Sequence, residues 1–317
     1  MSYQLGEKIA TREAYGKALA EFGADENIIV LDADLSKSTK TDSFKKVYPE
    51  RFINMGIAEG NMMATAAGLA SCGKTVFASS FAMFAAGRAF EQIRNSIGYP
   101  HLNVKIGATH AGISVGEDGA THQCLEDIGI MRTIPGMVIL NPADAQEARL
   151  AVKAAIDYEG PVYLRFGRLA VPVIFDENYK FEIGKGVELV AGTDVTLIGT
   201  GLLVPAVLEA QKILAEQGVS ARVINMASIK PIDRDIIVKA AKETGAIVTA
   251  EEHNVIGGLG SAVAEVLCET VPVPMLRIGT KDEFGRSGKP DALLKMYELD
   301  ADSIVKAALS AIELKNK

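Results

Sequence analysis

Three short stretches of the sequence concentrate the residue types that perform chemistry, and the first is built around an acid. Residues 54–60 (NMGIAEG) follow a predicted strand and place Glu59 at the start of an apolar helix. Loops beyond the carboxyl ends of strands are where α/β proteins usually place functional groups. An acid here can also simply complement the positive end of the helix dipole, an effect of about 0.3–1 kcal/mol. The position alone leaves both interpretations open.

The second stretch is a loop rich in glycine and histidine. Residues 109–123 (THAGISVGEDGATHQ) include His110, His122, two adjacent acids and three glycines. Such a loop can fold tightly while it directs polar side chains at a small polar ligand, although an ordinary polar surface loop is the alternative. A metal site is not indicated, because the two histidines are not at helical ligand spacing.

The third stretch is aromatic. Residues 79–84 (SSFAMF) place Phe81 and Phe84 three positions apart after a strand. Aromatic residues at this spacing usually belong to a hydrophobic core, so a binding role does not follow from the spacing itself.

Two glycine-containing connections later in the chain are weaker candidates. Residues 198–201 (IGTG) follow a strand and precede a helix, but Val204 stands where the third glycine of a dinucleotide-binding fingerprint belongs. Residues 251–260 (EEHNVIGGLG) could bind an anion, although a tight connection between a strand and a helix is the simpler interpretation.

These stretches need elements to position them, and the pattern predicts an α/β fold. Short β-rich runs alternate with longer helical stretches, which is typical of parallel sheets. In the first part of the chain we predict helices near Thr11, Glu59, Phe84 and Ala143, and strands at 28–31, 51–54, 75–79, 104–108, 138–140 and 162–166. In the second part we predict strands at 195–198, 222–225, 246–250 and 275–278.

The length of 317 residues predicts two domains. The pattern becomes irregular after Leu169, where Pro172 and several glycines occur. We therefore expect a first parallel-sheet domain over 1–172, a linker over 173–192 and a second, smaller domain over 193–317.

The composition excludes several classes of protein. The formal charge of −7 argues against a nucleic-acid or membrane-surface partner, since either would call for a basic face. The polar start lacks a secretory signal, and no apolar run is long enough to cross a bilayer. Three widely separated cysteines suggest neither a disulfide framework nor a zinc site, so we expect a cytoplasmic protein in a reducing compartment.

Taken together and in this order, the segments resemble the carboxyl-terminal half of transketolase, essentially from end to end. Residues 116–123 (GEDGATHQ) look more like transketolase than like its relatives, and residues 251–260 resemble the last-domain motif of the superfamily. The resemblance implies a thiamine-diphosphate pyrimidine-binding domain followed by a transketolase C-terminal domain. It also implies transfer of a two-carbon ketol unit from a ketose phosphate to an aldose phosphate, as in the pentose phosphate pathway.

The resemblance also shows what is absent from the sequence. A full-length transketolase carries a Gly-Asp-Gly motif that binds a divalent cation (Mg or Ca) and the cofactor diphosphate, and this chain has none. The resemblance therefore implies the small subunit of a split transketolase. An N-terminal subunit would complete the site, in a heterotetramer that contains a dimer of this chain.

For the cofactor, the resemblance implies that Glu59 contacts the ring nitrogen of the aminopyrimidine and shares a proton with it. Shielding from water would favour that sharing. Phe81 and Phe84 match the aromatic wall beneath the ring, and Asp34 matches an acid of the cofactor interface. The family has a tyrosine where Gly87 stands, so we expect the wall to be partly open.

For the substrate, the resemblance assigns four residues to the neighbourhood of a sugar phosphate: Arg12, Ser38, His110 and Arg165. Arg168 lies close to Arg165 in sequence and is the alternative phosphate contact. Asp118 matches a residue that reads a substrate hydroxyl, and His122 could stabilise an intermediate or carry protons.

Three other functions compete with this interpretation. The beta subunit of a 2-oxo-acid dehydrogenase has the same two domains, but it does not need the loop at 116–123. Deoxyxylulose-phosphate synthase normally includes the diphosphate domain in the same chain. A non-catalytic nucleotide-binding module would use residues 198–201, which lack the third glycine.

Overall fold

The computed structural model describes residues 3–317, whose strands form sheets of seven, five and two strands. The strands are β1 (Lys8–Ala10), β2 (Ile28–Asp32), β3 (Phe52–Asn54), β4 (Thr75–Phe81), β5 (Val104–Thr109), β6 (Val138–Leu140), β7 (Val162–Arg165), β8 (Ala170–Pro172), β9 (Val187–Val190), β10 (Val195–Gly199), β11 (Ala221–Asn225), β12 (Ser228–Lys230), β13 (Ile247–Asn254) and β14 (Met275–Thr280).

The helices cover these sheets. They are α1 (Thr11–Phe22), α2 (Ser36–Thr39), α3 (Asp42–Val47), α4 (Glu59–Ser71), α5 (Phe90–Gln92), α6 (Asp127–Arg132), α7 (Ala145–Asp157), α8 (Val204–Glu216), α9 (Arg234–Thr244), α10 (Leu259–Glu269), α11 (Pro290–Met296) and α12 (Ala301–Lys315). Shorter 3-10 turns occur at Pro49–Arg51, Ile113–Asp118 and Gly201–Leu203, and π-helical turns at Met83–Arg88 and Ile93–Gly98. None of these helices combines the length and the apolar character that crossing a membrane requires.

The larger sheet organises the first domain. Its strand order is β12-β6-β7-β5-β4-β2-β3, and all its pairings are parallel except that of β12 with β6. β4 and β5 are central and almost entirely buried, which explains their continuous runs of apolar and small residues. The predicted α/β class is confirmed.

The second sheet has the order β14-β13-β10-β11-β9, in which β9 alone is antiparallel to its neighbour. β9 lies within the predicted linker, 173–192, so this linker overlaps the second sheet and the prediction is corrected there. The pairing was missed because β9 is an edge strand without a strong apolar alternation. Conversely, β12 comes after three strands of the second sheet but pairs with β6 of the first.

The segment after β4 departs from a regular helix. We predicted one helix near Phe84, whereas the structure has two π-helical turns on either side of the short α5. A π-helical turn holds an extra residue and changes the direction of the side chains that follow, and such turns are frequent at functional sites. This irregular segment begins directly after Phe81 and Ala82.

Candidate functional site

The predicted site residues follow neighbouring parallel strands. β2 pairs with β3 and β4, and β4 pairs with β5, all in parallel register. Their carboxyl ends therefore meet at one edge of the sheet, where open α/β folds bind ligands. The segments that carry Asp34, Glu59, Phe84 and His110 leave the sheet at this edge.

Glu59 is the first residue of α4, and its side chain is only 3% exposed. Its Oε1 accepts a hydrogen bond from the Ser80 hydroxyl at 3.2 Å, while Oε2 lies 3.5 Å from Nη1 of Arg88. Ser80 belongs to β4, so the carboxylate faces that strand. Glu59 also stands in the first turn of α4, where an acid complements the helix dipole, but the hydrogen bond from Ser80 is what directs its carboxylate at β4.

The aromatic residues form a connected group with the two loop histidines. Phe81 stacks on the His110 ring with centroids 3.8 Å apart and on Phe84 at 5.8 Å. His122 packs edge-on against Phe84 at 5.2 Å. Phe84 is only partly buried, so the pair is not simply part of the hydrophobic core.

Gly87 stands where the resemblance would have an aromatic residue, and the structure shows what lies above it. A Cβ at Gly87 would overlap the terminal methyl group of Met83. Met83 therefore covers part of the gap in the aromatic wall that the sequence predicted.

Arg88 is a site residue that the sequence reasoning missed. Its guanidinium lies over the Phe84 ring, 4.2 Å from the centroid, and it is also the cation that approaches Glu59. The π-helical turn Met83–Arg88 brings it there. In the sequence, the position of Arg88 four residues after Phe84 indicated that the two side chains could meet.

Arg12, Ser38 and His110 come together as expected. Arg12 Nη1 donates to the Ser38 carbonyl at 2.8 Å and lies 3.1 Å from Nε2 of His110. Burial, followed by the positive charge of Arg12 and then of Arg168, lowers the pKa of His110 to about 3. The imidazole is therefore neutral near pH 7, and Ser38 contributes its carbonyl oxygen to Arg12.

A buried acid holds the short helix α2, which carries Ser38. Asp32 accepts hydrogen bonds from the Leu35 amide and from the hydroxyls of Thr39 and Thr41, at 2.6, 2.7 and 2.8 Å. Burial raises the pKa of Asp32, whereas these hydrogen bonds oppose the rise. Asp34 itself is exposed at this edge.

Asp34 has a left-handed backbone, with φ of 65°, which aspartate tolerates better than most residues. Its Oδ1 accepts a hydrogen bond from the Asn54 side chain at 2.8 Å. Asn54 ends β3 and precedes the turn to Glu59, so Asp34 is tied to the loop that carries Glu59.

The structure surrounds Arg165 with protein groups, which argues against the expected contact with a phosphate. Its side chain is 3% exposed, and Nε donates to Asp127 at 2.8 Å. Nη2 donates to the carbonyls of Cys124 and Glu252 at 3.3 and 2.9 Å. Nε and Nη2 are thus committed to protein groups. Burial lowers the pKa of Arg165, but the charge of Asp127 and its hydrogen bond outweigh that effect and raise this pKa further above its already high value.

Arg168, the alternative contact, lies on an open pocket. Its side chain is 38% exposed, and Nη1 donates to Val115 O at 2.5 Å and to Glu117 Oε2 at 3.2 Å. The pocket holds about 290 Å³ and is lined by Arg12, Ser114, Glu117, Arg168, Leu169, Ala170 and Pro290. Two arginines on one pocket suit a phosphate group, because each guanidinium can pair with two of its oxygens.

The glycine-rich loop is not an ordinary surface loop. Residues 110–116 are buried, whereas Glu117, Asp118, Ala120 and Thr121 are exposed. Asp118 ends the 3-10 turn Ile113–Asp118. His122 lies further along, with Nδ1 3.0 Å from the Thr121 hydroxyl.

The other glycine-containing connections are filled by the protein's own side chains. A Cβ at Gly201 would overlap the side-chain amide of Asn141, which also bonds to Thr200 at 3.2 Å. Glu251 accepts from the amides of Leu259 and Gly260 at 2.7 and 2.8 Å, so an internal carboxylate already occupies the start of α10. Neither connection leaves room for the phosphate of a nucleotide or for another anion.

Metal-ligating side chains do not cluster in this site. Across the part of the chain that the structure describes, no group of three or more histidines, cysteines or acids is arranged to hold a metal ion.

Two family models match the chain. The transketolase pyrimidine-binding domain matches residues 7–173, and the transketolase C-terminal domain matches residues 184–304. Together they span both sheets of the fold.

The chain is similar to several known proteins. It is 54% identical over 306 residues to a Methanocaldococcus jannaschii protein provisionally named a transketolase C-terminal section, covering 95% of this chain and 96% of that protein. It is 42% identical to a 6-deoxy-6-sulfo-D-fructose transketolase subunit of Clostridium sp., covering 96% and 95% respectively. Among solved structures, a split gene transketolase described as an inactive beta4 tetramer is 57% identical, with a TM-score of 0.91 and coverage of 97% and 99%.

Proposed function

The chain belongs to the transketolase family, and we propose that it is the C-terminal subunit of a split transketolase. In this proposal it transfers a two-carbon ketol unit from a ketose phosphate to an aldose phosphate with thiamine diphosphate. The observation that carries the proposal is the buried Glu59 carboxylate beside the aromatic segment Phe81–Phe84. The similarity to transketolase subunits over nearly their whole length supports the split arrangement.

The residues at the site fit the cofactor. Glu59 Oε2 has only a long contact among the described residues, 3.5 Å to Arg88, so this buried oxygen retains capacity to accept a proton donor. Phe81 and Phe84 offer flat apolar surfaces for a heteroaromatic ring, and Asp34 lies at the same edge of the sheet. When bound, thiamine diphosphate supplies a nucleophilic carbon, and Glu59 manages the proton at the pyrimidine nitrogen.

We assign the sugar phosphate to the pocket between Arg12 and Arg168. The support is their exposure on one cavity and the neutral His110, which leaves the positive charge on the arginines. Asp118 and His122 are proposed to contact the substrate nearer the reacting carbon. Arg165 is not part of this proposal.

A partner subunit is proposed to complete the site. Ile57 is 77% exposed two residues before Glu59, and Ile53 is 41% exposed on the edge strand β3. Large apolar side chains beside a candidate site are typical of a surface that another protein covers. We propose that an N-terminal subunit covers it and holds the diphosphate and its divalent cation (Mg or Ca), in a heterotetramer containing two copies of each chain.

Similarity to known subunits supports an obligate partner but leaves the sugar open. The 57% identical structure is described as inactive when it is a beta4 tetramer, which agrees with a chain that needs a second subunit. The Clostridium relative is named for a sulfonated sugar rather than for a common pentose. The preferred sugar phosphate, the pentose phosphate pathway and a cytoplasmic location therefore stay predictions.

Reconstitution tests the proposal. The chain is purified, mixed with the N-terminal subunit and assayed for ketol transfer with thiamine diphosphate and magnesium. We expect activity only in the mixture, and we expect Glu59→Gln to remove most of it while assembly, measured by size-exclusion chromatography, persists. Glu265→Gln, at an exposed acid on α10, is the matched control. Turnover by the chain alone, or full activity of the Glu59→Gln assembly, would contradict the proposal.

A further inference from the structure

The 3-10 turn Ile113–Asp118 belongs to the first domain but packs into the second. Ile113 is fully buried in the hydrophobic core that the second domain builds from residues such as Leu197 and Leu293. A Cβ at Gly116 would lie 3.1 Å from Pro290, which begins α11 of the second domain. The turn that ends in Asp118 is thus shaped by the domain that follows it.

The most direct contact between the second domain and this turn is a buried carboxylate. Glu252 lies on β13, is 2% exposed, and accepts a hydrogen bond from the backbone amide of Ser114 at 2.5 Å. Gly112 precedes the turn with φ of 87°, and a Cβ there would overlap the Glu252 carboxyl group. The carboxylate therefore occupies space that exists only because residue 112 is a glycine.

Neighbouring groups fix the position of Glu252 relative to the turn. The Arg165 guanidinium donates to the Glu252 carbonyl at 2.9 Å, which restrains the main chain from which the carboxylate extends. Gln123 donates to the carbonyls of Ile113 and Gly116 at 3.1 and 3.2 Å, and to Arg286 O of the second domain at 2.9 Å. These contacts leave the turn little freedom to shift relative to β13.

We propose that Glu252 is a positioning residue, through which the second domain holds the turn Ile113–Asp118 and so sets the place of Asp118 in the substrate site. The inference rests on the proposed function, because Asp118 matters only if a sugar phosphate binds beside it. A carboxylate is costly to bury, and burial raises the pKa of Glu252 to about 7 although Arg165 and Ser114 oppose the rise. The hydrogen bond to Ser114 offsets part of that cost.

Hydrogen exchange on the isolated full-length chain tests the contact without any activity. In Glu252→Ala we expect the amides of Ser114 to Asp118 to exchange at least tenfold faster, while those of β4 and β5 change by less than threefold. Glu252→Gln keeps an acceptor oxygen and should stay within threefold of the wild type at Ser114. Glu265→Ala removes another contact between the domains, to Arg132 at 2.6 Å, and is the matched control. Unchanged exchange at Ser114 in Glu252→Ala, or equal acceleration in Glu265→Ala, would overturn the proposal.

Kinetics of the reconstituted enzyme test whether Glu252 acts through Asp118. Glu252→Ala should lower kcat/KM about 10- to 100-fold in the wild-type background but less than threefold in an Asp118→Ala background. Equal losses in both backgrounds would overturn the positioning role. If Glu252→Ala does not fold, Gly112→Ala is the second variant, since its added methyl group displaces the same carboxylate. If the wild-type assembly shows no turnover, the proposed function fails, and hydrogen exchange still decides whether Glu252 holds the turn.

Discussion

The Arg12 guanidinium lies 3.1 Å from Nε2 of His110, so this ring nitrogen accepts a hydrogen bond rather than donates one. The proton of the imidazole is then on Nδ1, which lies 2.9 Å from the Thr109 hydroxyl. A neutral histidine beside an arginine keeps the positive charge on the guanidinium alone. This arrangement suits the binding of an anion to Arg12 while His110 fixes the position of that side chain.

A pH dependence of stability follows from this pairing. The folded pKa of His110 is about 3, below its unfolded value, so between these values only the unfolded state binds the proton. The contribution of the neutral His110 to the free energy of unfolding is complete above the unfolded pKa, roughly 6.5, and is lost as the pH falls toward 3. At pH 5 the free energy of unfolding is lower by about 2 kcal/mol than it is above the unfolded pKa.

Urea unfolding at pH 8 and pH 5 measures this difference. The free energy of unfolding should fall less in His110→Gln than in the wild type, whereas the exposed His101→Gln should behave like the wild type. An identical loss in His110→Gln would contradict the neutral assignment.

Arg165 should matter for folding. Arg165→Ala leaves the fully buried Asp127 without its cation, and breaking a buried ion pair in this way costs about 3–5 kcal/mol. Urea unfolding measures the change. Arg234→Ala, which breaks an exposed pair with Glu269 at 2.9 Å, is the control and should cost less than about 1 kcal/mol. A loss in Arg165→Ala no larger than in this control would show that the pair is dispensable.

Arg168 should matter for phosphate binding instead. A hydrogen bond to a charged group contributes about 1.5–3 kcal/mol, so Arg168→Ala should raise KM for phosphorylated donors by roughly 10- to 100-fold. The side chain is 38% exposed, and the unfolding midpoint should therefore change little. Steady-state kinetics of the reconstituted enzyme provide the measurement, with an unphosphorylated donor as the comparison. A proportional rise in KM for both donors would remove Arg168 from the phosphate site.

Glu251 should act as an internal cap for α10. Glu251→Ala leaves the buried amides of Leu259 and Gly260 without their acceptor and should destabilise the protein by about 2–3 kcal/mol in urea unfolding. Glu251→Gln keeps one acceptor oxygen and should lose less. Glu265→Ala, at an exposed acid on the same helix, serves as the control. If Glu251→Ala is as stable as that control, the capping role is wrong.

Much of the fold follows from local patterns in the sequence. The apolar runs predicted the central strands of both sheets, because a strand buried on both faces must be apolar along its length. The position of Glu59 after β3 and the spacing of Phe81 and Phe84 are likewise local properties. The edge strand β9 and the π-helical turns escaped prediction, since neither depends on a strong periodic signal.

The sequence by itself determined the α/β class, the two domains and the loops that carry the candidate residues. Only the tertiary structure distinguished the surroundings of Arg165 from those of Arg168, because their difference lies in distant partners. Arg165 is buried and donates hydrogen bonds to Asp127 and to the carbonyl of Glu252, which is 87 residues away in sequence. Arg168 lies beyond the end of β7 and reaches the pocket. The contact from Glu252 to Ser114 spans 138 residues. Charge and burial at such positions arise from the packing of one domain against the other, which no local pattern contains.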